Sequence, residues 1–348
     1  MYHVPCTICH IPETLTILLQ KMAGPYMAPS AGMGGLPTIS LDVPICAVFI
    51  ALFLAGAVSH MTLFRRNLAR GHKFIPSGMT FGFCMSRIVT NVIRIVWACY
   101  VTNLRLAIAA QIFVAAGVLL LFVLNLLYTQ RMFRAVYPVL GWSRTVSWAF
   151  KALYGLIVVT IIMVITCVVQ SMYTLNTNTR RIDRDIQLYG QTYFAIVSFL
   201  PIPLVFSVIL SPNRKQMEQF GSGSWITKVF IVGLVASLLC LGASFRAATS
   251  WMPPRPVNNP AWYHSKACFY VFDFGIDVLV VAIFLVARVD QRFWVPNGSS
   301  KMHHYRGSQD DEKNAKGVRN RDNLQRQDGR DLESEGSTVS WDQTKGTN

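Results

Sequence analysis

Residues 104–128 read "LRLAIAAQIFVAAGVLLLFVLNLLY" and contain a single charged side chain, Arg105. An α-helix rises about 1.5 Å per residue, so a helix of this length crosses the roughly 30 Å hydrocarbon core of a bilayer. A helix also satisfies its own backbone N–H and C=O groups, which lipid cannot do. This stretch therefore predicts a membrane-spanning helix and an integral membrane protein.

The composition of the whole chain agrees with a membrane location. The 348 residues are 52% hydrophobic and 14% charged, whereas soluble domains carry about 25% charged residues. The formal net charge is +15, and the basic residues flank apolar stretches instead of forming a patch on a soluble domain. We therefore expect the lipid bilayer as a partner and no nucleic acid.

Six further stretches resemble residues 104–128 in length and apolar character. The seven predicted spans are residues 44–64, 77–100, 104–128, 146–172, 188–210, 225–245 and 265–287. The expected fold is an all-α integral membrane protein, a seven-transmembrane-helix bundle over residues 43–290. A flexible outer arm is expected at 1–42. The polar, mixed-sign residues 297–348 are expected to form a disordered tail.

Lysine and arginine in the loops predict the orientation of the bundle. With the N-terminus outside, 13 of these residues fall on the cytoplasmic side and eight on the outer side. Because cytoplasmic loops carry the excess of positive charge, we expect an outer N-terminus and a cytoplasmic C-terminus. The plasma membrane and an endomembrane both fit this pattern.

The glycosylation sequon Asn297-Gly298-Ser299 tests this orientation. On the cytoplasmic side it meets no glycosylation machinery, so we expect no glycan on Asn297. The mass of the full chain should therefore not change on enzymatic deglycosylation. A glycan on Asn297 would invert the predicted topology.

Five polar residues within the predicted spans are the candidate site. Arg87, Asn91 and Arg94 share one face of the second span, and Asp273 and Asp277 share one face of the seventh. At about 1.5 Å per residue, Arg94 and Asp273 lie about 9 and 12 Å below the outer ends of their spans, and Arg87 and Asp277 about 20 and 18 Å. We predict that Arg94 faces Asp273 and that Arg87 faces Asp277, with Asn91 between them.

Two interpretations of this cluster remain open. Charges at membrane depth often mark functional sites, so the five side chains could line a pocket for a ligand or ion that opens outward. They could instead form a buried ionic cluster that fixes the register of the helices.

Other motifs predict no catalytic chemistry. Asp273-Phe274-Gly275 matches the kinase DFG motif, but the chain has no kinase catalytic loop. His3, Cys6, Cys9 and His10 have metal- or haem-like spacing but lie in a short arm, so we expect neither a metal nor another cofactor. Without a hydrolase, phosphate-binding or zinc-protease motif, the chain is not expected to be an enzyme.

Two further segments carry structural expectations. Pro201 and Pro203 should bend the fifth span, as a static kink or as a hinge. Residues 176–190, "NTNTRRIDRDIQLYG", are expected to form an outer loop whose charges pair with one another, with a ligand lid as the alternative.

Several long stretches resemble one family of membrane proteins. Among them are "HMTLFRRNLARGHKFIPSGMTFGFCMSRIVT" at 60–90, "RRIDRDIQLYGQTYF" at 180–194, "SKACFYVFDF" at 265–274 and "RVDQRFWVPNGS" at 288–299. Together they resemble a filamentous-fungal family of unknown function whose members are sometimes labelled "family C-like G-protein-coupled receptor". The resemblance covers about residues 24–300 and implies a seven-helix membrane protein. It implies no site residue.

Three functions therefore stay open. A receptor-like sensor of a small or lipidic ligand predicts a cytoplasmic signalling partner for the tail. A transporter or lipid-handling protein predicts that Asp273 or Asp277 couples flux to an ion. An accessory or scaffold protein of a fungal metabolic pathway predicts neither and tolerates replacement of the charge pairs.

Overall fold

The computed structural model describes residues 24–26, 30–72, 74–211 and 220–295. Within these residues it contains seven helices long and apolar enough to cross a membrane, as predicted. They are Ile39–Ala69, Ile75–Cys99, Leu104–Val136, Arg144–Tyr173, Thr177–Ile209, Trp225–Trp251 and Lys266–Val286. We number them as spans one to seven. The predicted tail, the sequon and the Cys/His pattern near the N-terminus lie outside the described residues.

Five helix boundaries lie five or more residues beyond the predicted ones. The first span runs from Ile39 to Ala69 instead of 44–64, and the third ends at Val136 instead of Tyr128. The fifth begins at Thr177 instead of Leu188, and the sixth ends at Trp251 instead of Phe245. The predicted outer loop 176–190 is therefore almost entirely helix. Its charges also form no ion pairs with one another in the part of the chain that the structure describes. Predicted boundaries follow hydropathy, but these helices continue past the apolar stretch.

Three spans are interrupted. The third consists of Leu104–Gly117 and Leu119–Val136, and the fifth of Thr177–Phe199 and Pro201–Ile209. Pro201 has no backbone N–H to continue the helix, so the interruption at the prolines follows from the sequence. A hinge there stays a prediction. In the seventh span, Tyr270–Gly275 is π-helical between the α-helical segments Lys266–Phe269 and Ile276–Val286.

Chain segments outside the spans cover both ends of the bundle. We call the end at which the first span begins the upper end and the opposite end the lower end. At the upper end, Ala31 N donates to Arg255 O (2.8 Å) and Gly34 N donates to His264 O (3.1 Å). Gly34 has a φ of 77°, and a Cβ there would lie 2.7 Å from the Phe269 ring, so glycine is required.

At the lower end, the residues after the seventh span turn back under the bundle. Arg288 adopts a φ of 47°, and the short helix Val289–Arg292 follows it. Arg131 donates to the carbonyl of Phe293 (2.5 Å), and Ser222 N donates to the carbonyl of Gln291 (2.9 Å). These hydrogen bonds hold the segment after the seventh span against the third span and against the residues before the sixth.

The fourth and fifth spans are in tight contact at Gly190. A Cβ at this position would lie 2.3 Å from Cγ2 of Val164. Valine is rigid at χ1, so its methyl group cannot move aside without a shift of the helix. The seam between these two spans therefore depends on glycine at position 190.

We predict that Gly190→Ala destabilises the bundle by about 1–3 kcal/mol, because the added methyl group overpacks the seam. The loss should appear as a lower thermal unfolding midpoint of the purified chain in detergent. Gly155→Ala on the fourth span is the matched control. Nothing lies within 4 Å of its Cβ position, so this change should be neutral or stabilise by up to about 1 kcal/mol. Equal shifts for both variants would contradict the close approach.

Candidate functional site

Asp42 is the shared hydrogen-bond acceptor of the polar cluster at the upper end. It is 0% exposed. Its Oδ1 accepts hydrogen bonds from Arg94 Nη2 (2.9 Å) and from the Tyr270 hydroxyl (2.7 Å). Its Oδ2 accepts from Thr38 N (2.7 Å) and pairs with Lys266. Arg94 therefore pairs with Asp42, and the predicted pair with Asp273 is wrong.

The first turn of the first span supplies the carboxylate that the prediction missed. The apolar stretch begins only at Pro44, so hydropathy places Asp42 in the outer arm. Arg94 also donates to the carbonyl of Gly34 (3.0 Å), and its guanidinium lies 4.2 Å from the Phe269 ring centroid. Residues 31–34, which precede the first span, are therefore hydrogen-bonded directly to the buried guanidinium of Arg94.

Arg87 and Asp277 form the pair that the sequence predicted. Arg87 Nε donates to Asp277 Oδ2 at 2.7 Å, and both residues are buried. Arg87 Nη1 also donates to the carbonyl of Val114 (3.1 Å). Val118 N, which would bond to this carbonyl in a regular α-helix, bonds to Ala116 O where the third span is interrupted. The interruption thus supplies the cation with a backbone acceptor.

Asp273 pairs with Arg246 on the sixth span, not with Arg94. Nη1 of Arg246 lies 2.9 Å from Oδ1 of Asp273. The predicted sixth span ends at Phe245, but Arg246 lies within the helix, which continues to Trp251. One turn earlier, a Cβ at Gly242 would meet the carbonyl of Phe272 at 3.2 Å. This close contact brings the sixth span alongside the π-helical segment.

Several polar atoms near mid-membrane depth lack complete hydrogen bonding. Asn91 Nδ2 donates to the carbonyl of Arg87 (2.8 Å), but its buried Oδ1 has no partner. Nη2 of Arg87 lies 2.6 Å from the shared oxygen of Asp277 without a well-directed hydrogen bond. The second oxygens of Asp273 and Asp277 accept no hydrogen bond from any described residue.

We name Arg87, Asn91, Arg246, Asp273 and Asp277 the central cluster. It contains two cations and two carboxylates, so its formal charge is balanced. In the described ranges no three His, Cys, Asp or Glu side chains are grouped closely enough to hold a metal ion. What the cluster offers is a set of spare acceptors beside two arginines, which suits a small polar molecule or a rearrangement of the pairs.

His264 lies outside the spans, in the segment before the seventh. Burial, together with the positive charge of Arg255, lowers the pKa of its imidazole below the usual 6.5. Its Nδ1 accepts a hydrogen bond from Ala261 N (3.2 Å), which only the neutral ring can do. His264 is therefore neutral at pH 7. Any stability it contributes is lost only as the pH falls towards its lowered pKa.

The pairing can be tested with double-mutant cycles on thermal or denaturant unfolding. Arg246→Gln and Asp273→Asn should be coupled by about 0.5–3 kcal/mol, because the two side chains are in contact. Arg94→Gln and Asp273→Asn should be additive within about 0.5 kcal/mol. Strong coupling in the second cycle and none in the first would restore the original pairing.

Comparison with known proteins finds a family match for one part of the chain. No curated protein and no solved structure matches it. Residues 226–294, less than half of the chain, match the family described as "Protein of unknown function (DUF3112)". The matched region holds Arg246, Asp273 and Asp277, so three members of the central cluster lie in the part of the chain that resembles this family of unknown function.

Proposed function

We propose that this chain is a receptor-like membrane sensor and that the central cluster is its switching element. The observation that carries the proposal is a buried, incompletely hydrogen-bonded set of charges placed beside two helix interruptions. Arg87 contacts the interruption in the third span, and Asp273 lies in the π-helical segment of the seventh. Such segments occur often at functional sites.

The charges have more than one way to pair. Asp273 and Asp277 lie four residues apart on the seventh span and pair with Arg246 and Arg87 respectively, so the two pairs are neighbours. Charge–charge interactions are strong where water is excluded. Because both carboxylates are on the seventh span, an exchange of their arginine partners would move that span as a unit. A ligand that favours one pairing would therefore shift the bundle between two arrangements, as switching requires.

The covered ends favour sensing over passage. Backbone hydrogen bonds hold residues 31 and 34 at the upper end and residue 291 at the lower end, where the Arg131 side chain also donates to the carbonyl of Phe293. A sensor needs no continuous path between the two sides. We expect its ligand to be small or lipidic and its signalling partner to bind at the cytoplasmic side.

A transporter remains the second candidate because of one observation. Asp273 and Asp277 each retain an oxygen that accepts no hydrogen bond from the described residues. Carboxylates at membrane depth commonly carry protons in transporters. An accessory protein would instead use the same pairs only to hold the helices together.

A charge exchange separates the sensor from the accessory protein. The double variant Arg87→Asp/Asp277→Arg keeps both charges, so it should restore the membrane expression that each single variant loses. In cells lacking the gene, profiled for metabolites and stress tolerance, it should still fail to restore the wild-type profile, because the switching geometry has changed. Full restoration of the profile would support the accessory role and overturn the sensor.

Proton flux separates the sensor from the transporter. We expect proteoliposomes with the wild-type chain and with Asp277→Asn to dissipate a pH gradient at equal rates, read with an enclosed pH-sensitive dye. A faster rate for the wild type, abolished in Asp277→Asn, would establish coupled transport and overturn the sensor.

A further inference from the structure

Three basic side chains lie where the lower ends of the third and fourth spans meet. The two helices are in contact near this end, because the Tyr154 hydroxyl of the fourth span donates to Oε1 of Gln130 on the third (3.2 Å). The short helix Pro138–Gly141 connects the two spans. We call these three basic residues the basic seam: Arg134, Arg144 and Lys151.

The helical repeat places the basic seam beside this contact. Arg134 follows Gln130 by one turn, so it lies on the face of the third span that meets the fourth. Lys151 precedes Tyr154 by one turn, and Arg144 precedes Lys151 by two turns on the same face. Side chains from both helices therefore bring positive charge to one place at the lower end.

Arg134 is held in the seam by packing and not by hydrogen bonds. A Cβ at Gly141 would lie 2.7 Å from Cα of Arg134, so the connecting helix passes directly against it. The Arg134 guanidinium lies 4.6 Å from the ring centroid of Trp142. Its Nε is buried and has no hydrogen-bond partner among the described residues. A buried donor on a charged group is costly without an acceptor, so this position favours an anion.

No described carboxylate neutralises the basic seam. Its three residues form no ion pair with any described residue. The sequence contains no Asp or Glu between Asp42 and Asp183, so neither span supplies one. At the lower end, the described carboxylate of Asp290 pairs with Arg288 and accepts from Asn67. The positive charge of the seam is therefore available to an anion from outside the described chain.

Exposed apolar side chains next to the seam indicate that it lies at the membrane surface. Val139 in the connecting helix is 90% exposed, and Trp148, one turn after Arg144, is 64% exposed. The Lys151 ammonium lies 5.5 Å from the ring centroid of Trp148. Tryptophan beside basic residues at the end of a membrane helix is typical of the head-group region of a bilayer. Lipid phosphates are the anions present at this level.

From these observations we infer that the basic seam binds an anionic phospholipid whose head group is a phosphate monoester. Such a group carries close to two negative charges and three acceptor oxygens. It therefore offers more charge to the three cations than a phosphate diester, and its oxygens match the planar fork of Arg134. The lower end is the predicted cytoplasmic side, where anionic lipids attract basic segments.

The binding site goes beyond the proposed sensing function and does not involve the central cluster. Basic residues that only orient a membrane protein need no packing around them. Arg65 and Arg66, both exposed at the lower end of the first span, fit that role. Arg134 differs from them because its buried Nε lies among packed residues without an acceptor.

The test uses the full chain in detergent, with phosphatidic acid as the probe and retained lipid counted by native mass spectrometry. Phosphatidic acid should bind about tenfold or more tightly than phosphatidylglycerol of the same acyl chains, a phosphate diester, because it makes additional charge-assisted contacts. Equal binding of the two lipids would overturn the inference. So would competition by water-soluble glycerol phosphate at the same concentration as phosphatidic acid, which would show an anion site without lipid selectivity.

Two substitutions locate the site, with one matched control. Arg134→Gln and Lys151→Gln should each weaken phosphatidic acid binding by about tenfold. Arg66→Gln removes the same charge from an exposed position at the same end, and it should change binding by less than about twofold. Equal effects of all three variants would show nonspecific attraction and overturn the site. Because Lys151 is exposed, unchanged binding in Lys151→Gln would overturn it even if Arg134→Gln misfolds.

Discussion

A charged side chain is costly at membrane depth unless it is paired. The ion pair of Arg87 with Asp277 satisfies this constraint at the centre of the bundle. The other contacts follow from it. The second span that carries Arg87 also carries Arg94, which binds the first span through Asp42. The seventh span that carries Asp277 also carries Asp273, which binds the sixth through Arg246. Two helices thus connect two others by charge.

Backbone irregularity and charge support each other in this fold. The third span is interrupted where its free carbonyl at Val114 accepts from Arg87, and the seventh is π-helical where Asp273 meets the sixth span. Each of these two interruptions therefore lies next to a buried charge pair.

Hydropathy alone predicts the seven spans, and depth alone predicts the pair of Arg87 with Asp277. Depth does not identify the partner of Arg94, because Asp42 and Asp273 lie at similar levels. Asp42 also precedes the apolar stretch of the first span, so hydropathy does not place it in a helix. Hydropathy also leaves Arg246 outside the predicted sixth span, because the helix continues past its apolar stretch. No local pattern in the sequence predicts the π-helical segment. Glycines at 56, 117, 190 and 242 lie where two spans approach closely, but glycine in a sequence does not by itself name the facing helix.

The separation of the charge pairs along the chain bears on how the protein enters the membrane. Asp42 and Arg94 are 52 residues apart, and Arg246 and Asp273 only 27, so each pair can form between neighbouring spans soon after both are synthesised. Arg87 and Asp277 are 190 residues apart. Throughout synthesis of the intervening spans, Arg87 has no carboxylate partner from the seventh. Until the last helix arrives, the second span carries Arg87 without this partner, and an unpaired arginine at the centre of a membrane helix costs about 2.5–3.5 kcal/mol on insertion.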